Sequence, residues 1–476
     1  MISKVKNKVY LIFGILLGFF MPAQGMAGLH MLDGSALSLQ WGIPFVGMLA
    51  SLALLPLMIP SVWHHHFGKI TLGWSLLIII PLFYVYGAKI LTHELLVTYG
   101  LHYFPFIVLA GSLFIIAGGI RVRIRDHGSP LYNTLTLAIG TVLASFMGTT
   151  GAAMLFIRPI LHMNEWRHYR RHTMIFFIFL VCNVGGCLTA LGDPPLFLGF
   201  LFGVDFFWPT FNLWGPFLVL TIPLLIIYFL WDYYLFKKED HANAPSLADH
   251  THFVKIDGKV NFLLLLGVLG SVLLSGAWKS GIKIPIGTIS IELQDLLRDI
   301  ILILLSLASL KLTDQTPRKA NKFTWEPLLE VVKLFAGIFI TATPVIAILS
   351  AGTKGHLAPL IHLVSDPQGN PLNAAYFWTT GALSAFLDNA PTYMVFFYMA
   401  GGDPVALMGT LNKTLIAISA GSVFMGALTY IGNAPNFMVK SISESHQIAM
   451  PSFFGFMMWS LLLLAPLFLL VTWIYF

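Results

Sequence analysis

The 476-residue chain is 57% apolar and only 10% charged, and long apolar runs recur from end to end, which excludes a soluble or disordered chain and points to a polytopic helical membrane protein. The formal net charge of +6 is accounted for by basic cytoplasmic loops, and no Lys/Arg cluster with interleaved aromatics suggests a nucleic-acid partner. Cys182 and Cys187 are too few for a disulfide framework and, five positions apart, share no helix face, so they read as small packing residues.

Residues 1–28 have a basic start, a short apolar run and small residues near Ala23 to Gly28, which suits either a cleaved signal peptide or a retained short helix. Apolar segments then fall near 41–60, 68–91, 102–120, 131–160, 172–203, 213–236, 260–278, 296–311, 328–351, 372–401, 409–443 and 452–476. Between the first two, His64, His65 and His66 read as a solvated interfacial turn, although a His run can also sense pH or bind metal.

Four segments exceed what one helix needs to cross a ~30 Å hydrocarbon core. Segments 131–160 and 372–401 break at "MGTTGAA" and "LDNAPTY" and are expected to be re-entrant helical hairpins. Segments 172–203 and 409–443 break at "ALGDPPLF" and "YIGNAPNF" and are expected to be single crossings made of two half-helices. Charge supports the first hairpin. Arg121, Arg123 and Arg125 precede it and Arg158, Arg167, Arg170 and Arg171 follow it, so both ends belong inside. Carrying that topology through the chain places 21 of the 27 Lys and Arg at the inner side. The polar stretch 237–259 is the one clear linker, expected to be cytoplasmic.

That linker divides a duplication. Shifting the sequence by 240 positions aligns "TALGDPPLFL" (189–198) with "TYIGNAPNFM" (429–438) and "FMGTTGAAM" (146–154) with "FLDNAPTYM" (386–394). The repeats span 41–236 and 260–476, and each holds an odd number of true crossings, so the reading is of two inverted repeats. Breaking a membrane helix frees backbone groups that lipid cannot satisfy, and such breaks are tolerated where they line a cavity. Four breaks meeting near the midplane form a transporter's substrate site. No H-E-x-x-H, G-x-S-x-G or phosphate loop occurs, and the reading is of a protein that is not an enzyme and carries no cofactor beyond the ions it moves.

The same stretches carry a resemblance. "MGTTGAAMLFIRP", "NVGGCLTALGDPPLFLGF" and "FLDNAPTYMVFF" are similar to the motifs of the ion transporter superfamily, and within it to the NhaD-type sodium/proton antiporters and the group named for citrate transport. The resemblance covers roughly residues 35 to 476. It implies an all-α homodimer in the inner membrane of a bacterium, with a scaffold of outer spans and a moving transport domain, working as an elevator. The family's functional positions match Asn183, Asp193, Asp388 and Asn389, and Na+ is expected at Asp193, Asp388 and Asn389. Gly148-Thr149-Thr150-Gly151 departs from the superfamily's Asn-Thr hairpin tip, leaving hydroxyls and carbonyls there.

Asp193 and Asp388 are the acids most clearly placed in mid-span, where a charge costs about 2.5–3.5 kcal/mol or more, so each is a functional candidate. Either also suits a helix cap or turn, but Asn433 caps the position equivalent to Asp193 without a charge. Carboxylates beside freed carbonyls suit a small hard cation, Na+ or Li+, and can take protons in competition with it. With the two acids, Asn183, Asn389, Asn433, Thr149, Thr150, Thr189 and Thr429 are the candidate ion- and proton-binding residues. The rival cargo is citrate or a dicarboxylate, with Thr149, Thr150, Asn389, Thr392, Thr429 and Asn433 as neutral donors; arsenite is a third option. Two buried aspartates oppose an anion unless bound cations neutralise them, which favours the cation. Lys413 either snorkels to the interface or pairs with Asp388. Asn183 is read as lying on a helix, either bonding a neighbouring helix or coordinating an ion.

Overall fold

The structure, a computed structural model, describes residues 31–125, 128–240 and 253–476. The N-terminal segment 1–28 and part of the linker lie outside the described residues. The chain is mostly helical. Among the described residues seven stretches are long and apolar enough to cross a membrane: 39–56, 65–117, 130–147, 208–236, 260–277, 326–350 and 453–475. This is a multi-pass helical membrane protein.

The first half opens with α1 (Ile43–Met58) and α2 (Pro60–Leu95), joined at the single non-helical residue Ile59. The expected turn at His64 to His66 is instead the first turns of α2, because Pro60 supplies a ready helix start. His65 Nδ1 lies 2.8 Å from Ser61 O one turn back. Helix α2 kinks at Gly87 (φ 78°) and runs on through a π-helix, Leu96–Tyr103, into α3 (Phe104–Ala117). Two expected segments are therefore one long interrupted stretch.

Strand β1 (Arg121–Arg125) follows, then α4 (Pro130–Met147) and α5 (Thr149–Met163), which pack side by side as a hairpin with Gly148 at the tip. Gly148 takes φ 79°, a conformation closed to most side chains, and this lets the chain reverse without an intervening loop. Helix α6 (Arg171–Leu180) is only 10 residues, about 15 Å long, and is followed by irregular backbone and a 3-10 turn at Val184–Cys187. Helix α7 (Pro194–Leu201) then starts behind Asp193, and α8 (Trp208–Phe236) closes the half.

After β2 (Phe253–Asp257) the second half runs through α9 (Val260–Ala277), the hairpin of β3 (Lys283–Ile286) and β4 (Ile289–Glu292), α10 (Leu293–Leu312) and α11 (Glu326–Ser350). Its own hairpin is α12 (Asn373–Phe386) with α13 (Asn389–Met399). Helices α14 (Asn412–Phe424) and α15 (Ala434–Ser445) flank a second irregular stretch, and α16 (Phe453–Tyr475) ends the chain. Helix α10 is absent from the seven stretches because Asp295, Arg298 and Asp299 crowd its first half.

Two details differ from expectation. The linker is partly a strand: β2 pairs antiparallel with β1, setting Arg123 against Lys255, and Arg123 reaches Asp257 at 2.8 Å. The two halves are thus clipped together in the connectors. Arg167, read as a topology anchor, is instead fully buried. It donates to Asp232 on α8 at 2.6 Å and to Gly128 O at 3.0 Å, while His172 and Asn133 also contact Asp232 at 2.8 and 3.1 Å.

Packing interleaves the halves. Helix α3 lies on α9 and α10, and α11 lies on α1 and α2, so each half lends its third helix to the other's first pair. The hairpins and interrupted helices form a second group, touching the first where α5 meets α3 and α13 meets α11. Within that group α5 packs on α15 and α13 packs on α7. Outward faces are apolar, as at Leu462 and Trp473 of α16, as expected where lipid is the solvent.

Candidate functional site

The Gly-Asp-Pro-Pro stretch is an interruption built by close backbone approach. Gly192 and Gly186 are so near that a Cβ on Gly192 would sit 2.2 Å from Gly186 O. The second repeat does the same with Gly432 and Gly426, at 2.5 Å. Thr189 donates to Ser145 O on α4, and Thr429 donates to Ala385 O on α12, again 240 positions on. Each threonine hydroxyl also accepts from the amide two residues later, Leu191 or Ile431. Both interruptions are therefore pinned to their hairpin by one equivalent contact, and Thr189 and Thr429 hold backbone.

The freed carbonyls are met by buried asparagine amides, because a half-helix end at this depth has no water to turn to. Asn433 donates to Cys182 O at 2.9 Å, and Asn436 donates to Gly426 O and Thr429 O, both at 2.9 Å. The expectation that Asn183 lies on a helix is overturned. Helix α6 ends at Leu180, and Asn183, at φ −135° and ψ −77°, begins the 3-10 turn. No proline precedes it to mark that end. Its amide donates to Ile178 O and to Asn436 Oδ1, each at 2.8 Å. Asn436 is a residue that sequence reasoning missed; the signal was a second asparagine in the first turn of the half-helix, where the other repeat has Leu196.

The amide hydrogen bonds converge on Asp193, which is 2% exposed. Its Oδ1 accepts from Thr149 Oγ1 at 2.9 Å and from Asn433 Nδ2 at 3.0 Å, and its Oδ2 accepts from Asn389 Nδ2 at 2.5 Å. Thr149 N also donates to Gly192 O at 2.9 Å, which locks the first hairpin's tip to the interruption. One carboxylate therefore joins the first hairpin (Thr149), the second hairpin (Asn389) and the second interruption (Asn433). Among the described residues no cation pairs with it. Asn389 Oδ1 is buried without a partner, as is Asn183 Oδ1.

Thr149, Thr150 and Asp193 line a cavity of about 90 Å³ together with Phe106, Leu109 and Leu113 of α3.

Asp388 makes no hydrogen bond to Asp193, although it lies near enough for the two charges to interact. It caps α13, accepting from Ala390 N at 3.2 Å, and remains partly exposed. Thr392 donates to Asp388 O at 3.0 Å, inside the same helix turn. Lys413 is exposed at the start of α14, and among the described residues it has no ion-pair partner. Cys182 and Cys187 are buried and free. Among the described residues no three His, Cys, Asp or Glu side chains cluster as metal ligands. A cation here would be held by one carboxylate and neutral oxygens.

A family model described as "Putative citrate transport" matches residues 34–476, nearly the whole chain. No curated protein matches it.

Proposed function

The chain belongs to the "Putative citrate transport" family, and on that premise we propose that it is a secondary active transporter that carries a small cation, Na+ or Li+, in exchange for protons through Asp193. One observation carries the reading: a fully buried carboxylate faces only neutral donors, Thr149, Asn389 and Asn433. An ionised carboxylate without a cation is costly at bilayer depth, so a proton or a metal ion must compensate it. The unpartnered Asn389 Oδ1 is a ready second oxygen for a hard cation, whereas an anion would need the donors that Asp193 already occupies.

The coupling follows from charge. With a proton the site is neutral, and with a monovalent cation it is neutral again; only the ionised empty form carries a net charge. A unit that crosses the membrane in the two neutral forms and not in the charged one exchanges cation for proton. In this reading the hairpins and interrupted helices move as the transport domain of two inverted repeats, against a scaffold made of α1 to α3 and α9 to α11. The protein works as a homodimer in a bacterial inner membrane, and it performs no covalent chemistry.

The family description favours a second reading, in which the same cation drives citrate or a dicarboxylate through the membrane. The anion would then enter the cavity lined by Thr149, Thr150 and Asp193. Proteoliposomes carrying a pH dye separate the two when challenged in turn with Na+, Li+, K+ and citrate. Proton release on adding Na+ or Li+, lost in Asp193→Asn, supports antiport. Citrate uptake with no cation-evoked proton release overturns antiport in favour of the second reading.

A further inference from the structure

A second and much larger cavity, about 1640 Å³, opens where the π-helix Leu96–Tyr103, the connector 201–207 and the corner between α9 and α10 meet. Extended π-helix is rare and concentrates at functional sites. Here it supplies Leu96, Tyr99, Gly100 and His102 to the wall.

The cavity has a polarity gradient along α10. Glu292, Asp295, Arg298 and Asp299 stand at one end, joined by Lys279 and Lys283 from the preceding loop and strand. Ile300, Ile303 and Leu307 follow on the same face of α10, with Leu273 opposite on α9. From Asp295 to Leu307 the helix rises about 18 Å, the reach of an extended acyl chain. Phe104, Phe200 and Phe207 make the facing wall apolar as well. A route for a hydrated ion has no use for such walls.

The charged rim is close to balanced. Arg298 lies 2.9 Å from both Asp295 and Asp299, Lys283 lies 3.4 Å from Glu292, and Asp205 adds a fourth carboxylate against three cations. A rim presenting both signs is complementary to a headgroup that carries both signs.

We propose that this cavity is a phospholipid site that takes a zwitterionic lipid of the surrounding bilayer, such as phosphatidylethanolamine. The phosphate lies toward Lys279 and Lys283 and the ammonium toward Asp295 and Glu292. One acyl chain runs down α10 past Ile303 to Leu307. The lipid would bridge α9 and α10 to the connector that follows α7, filling the space between the two helix groups.

The test uses the full chain, purified in mild detergent, stripped of lipid and supplied with phosphatidylethanolamine, phosphatidylglycerol or neither, with Tm and native mass as readouts. Phosphatidylethanolamine is expected to raise Tm and stay bound as one added mass, and phosphatidylglycerol to give less than half that rise. Ile303→Trp and Leu273→Trp fill the depth of the cavity and are expected to lose both the rise and the mass. Should either variant fail to elute as a single species, Lys279→Ala combined with Lys283→Ala reads the rim, with at least a halved rise expected. Equal rises from the two lipids would overturn the headgroup assignment, and Trp variants that keep the lipid would overturn its location. A Tm rise with citrate that the Trp variants abolish would make the cavity a route for cargo and sink the proposal.

Discussion

Asp193 ahead of α7 and Asp232 on α8 are both buried carboxylates, and they are opposites. Asp232 accepts from Arg167, His172 and Asn133 and stands beside the cation that compensates it. Asp193 accepts from a hydroxyl and two amides and, among the described residues, has no cation. A carboxylate with a built-in counter-charge is finished as structure, whereas one surrounded by neutral donors is complete only when something mobile arrives. Burial alone does not mark a functional acid; the charge balance of its partners does.

The sharpest way to break that contrast is to neutralise each acid in turn. Asp193→Asn is expected to reduce cation-evoked proton movement in proteoliposomes to background while leaving Tm unchanged or raised, because it removes a buried charge that the fold does not compensate. Asp232→Asn is expected to do the reverse. Arg167 then keeps only Glu239, 3.6 Å away, as a counter-charge, and stability falls by part of the about 3–5 kcal/mol that breaking a buried pair costs, read as a drop in Tm.

A subtler perturbation moves the charge between repeats. In Asn433→Asp a second carboxylate stands about where the amide now lies 3.0 Å from Asp193 Oδ1. Two carboxylates so close cannot both ionise. They share a proton that a cation displaces only at higher pH, so the pH profile of transport is expected to move in the alkaline direction. Combining it with Asp193→Asn carries the single charge over to the other half, and the profile should return toward that of the unaltered protein.

Thr149→Val removes one hydroxyl from Asp193 Oδ1, a hydrogen bond to a charged group worth about 1.5–3 kcal/mol. It should weaken the apparent cation affinity about tenfold in the transport assay, with the fold intact. Lys413→Ala should be the smallest change, within about 0.5 kcal/mol in stability and without effect on transport, since the side chain is exposed.

Much of this was legible in the sequence because membrane burial makes exceptions conspicuous. Gly192-Asp193-Pro194 and Gly432-Asn433-Ala434 interrupt apolar runs and repeat at a fixed offset, so the places where helices α7 and α15 begin could be marked, and Thr149, Asn389 and Asn433 could be named as candidate site residues. What could not be read was pairing across distance. Arg167 and Asp232 lie 65 positions apart and Asn183 and Asn436 lie 253 apart, and no local pattern binds them. Arg121 to Arg125 alternates with Val122 and Ile124 as an edge strand does, yet its partner sat in a polar linker, and the charge drew the reading toward topology. Asp388 could be read either as a cap or as a site acid, and in the structure it caps α13.

The central claim is that one carboxylate holds the cation and the proton by turns. Calorimetric titration of the purified full chain with Na+ and Li+, repeated in two buffers of different ionisation heat, counts the protons released per cation bound. Binding with proton release in the unaltered protein, and neither in Asp193→Asn, is the predicted result. Cation binding with undiminished proton release in Asp193→Asn would contradict the account.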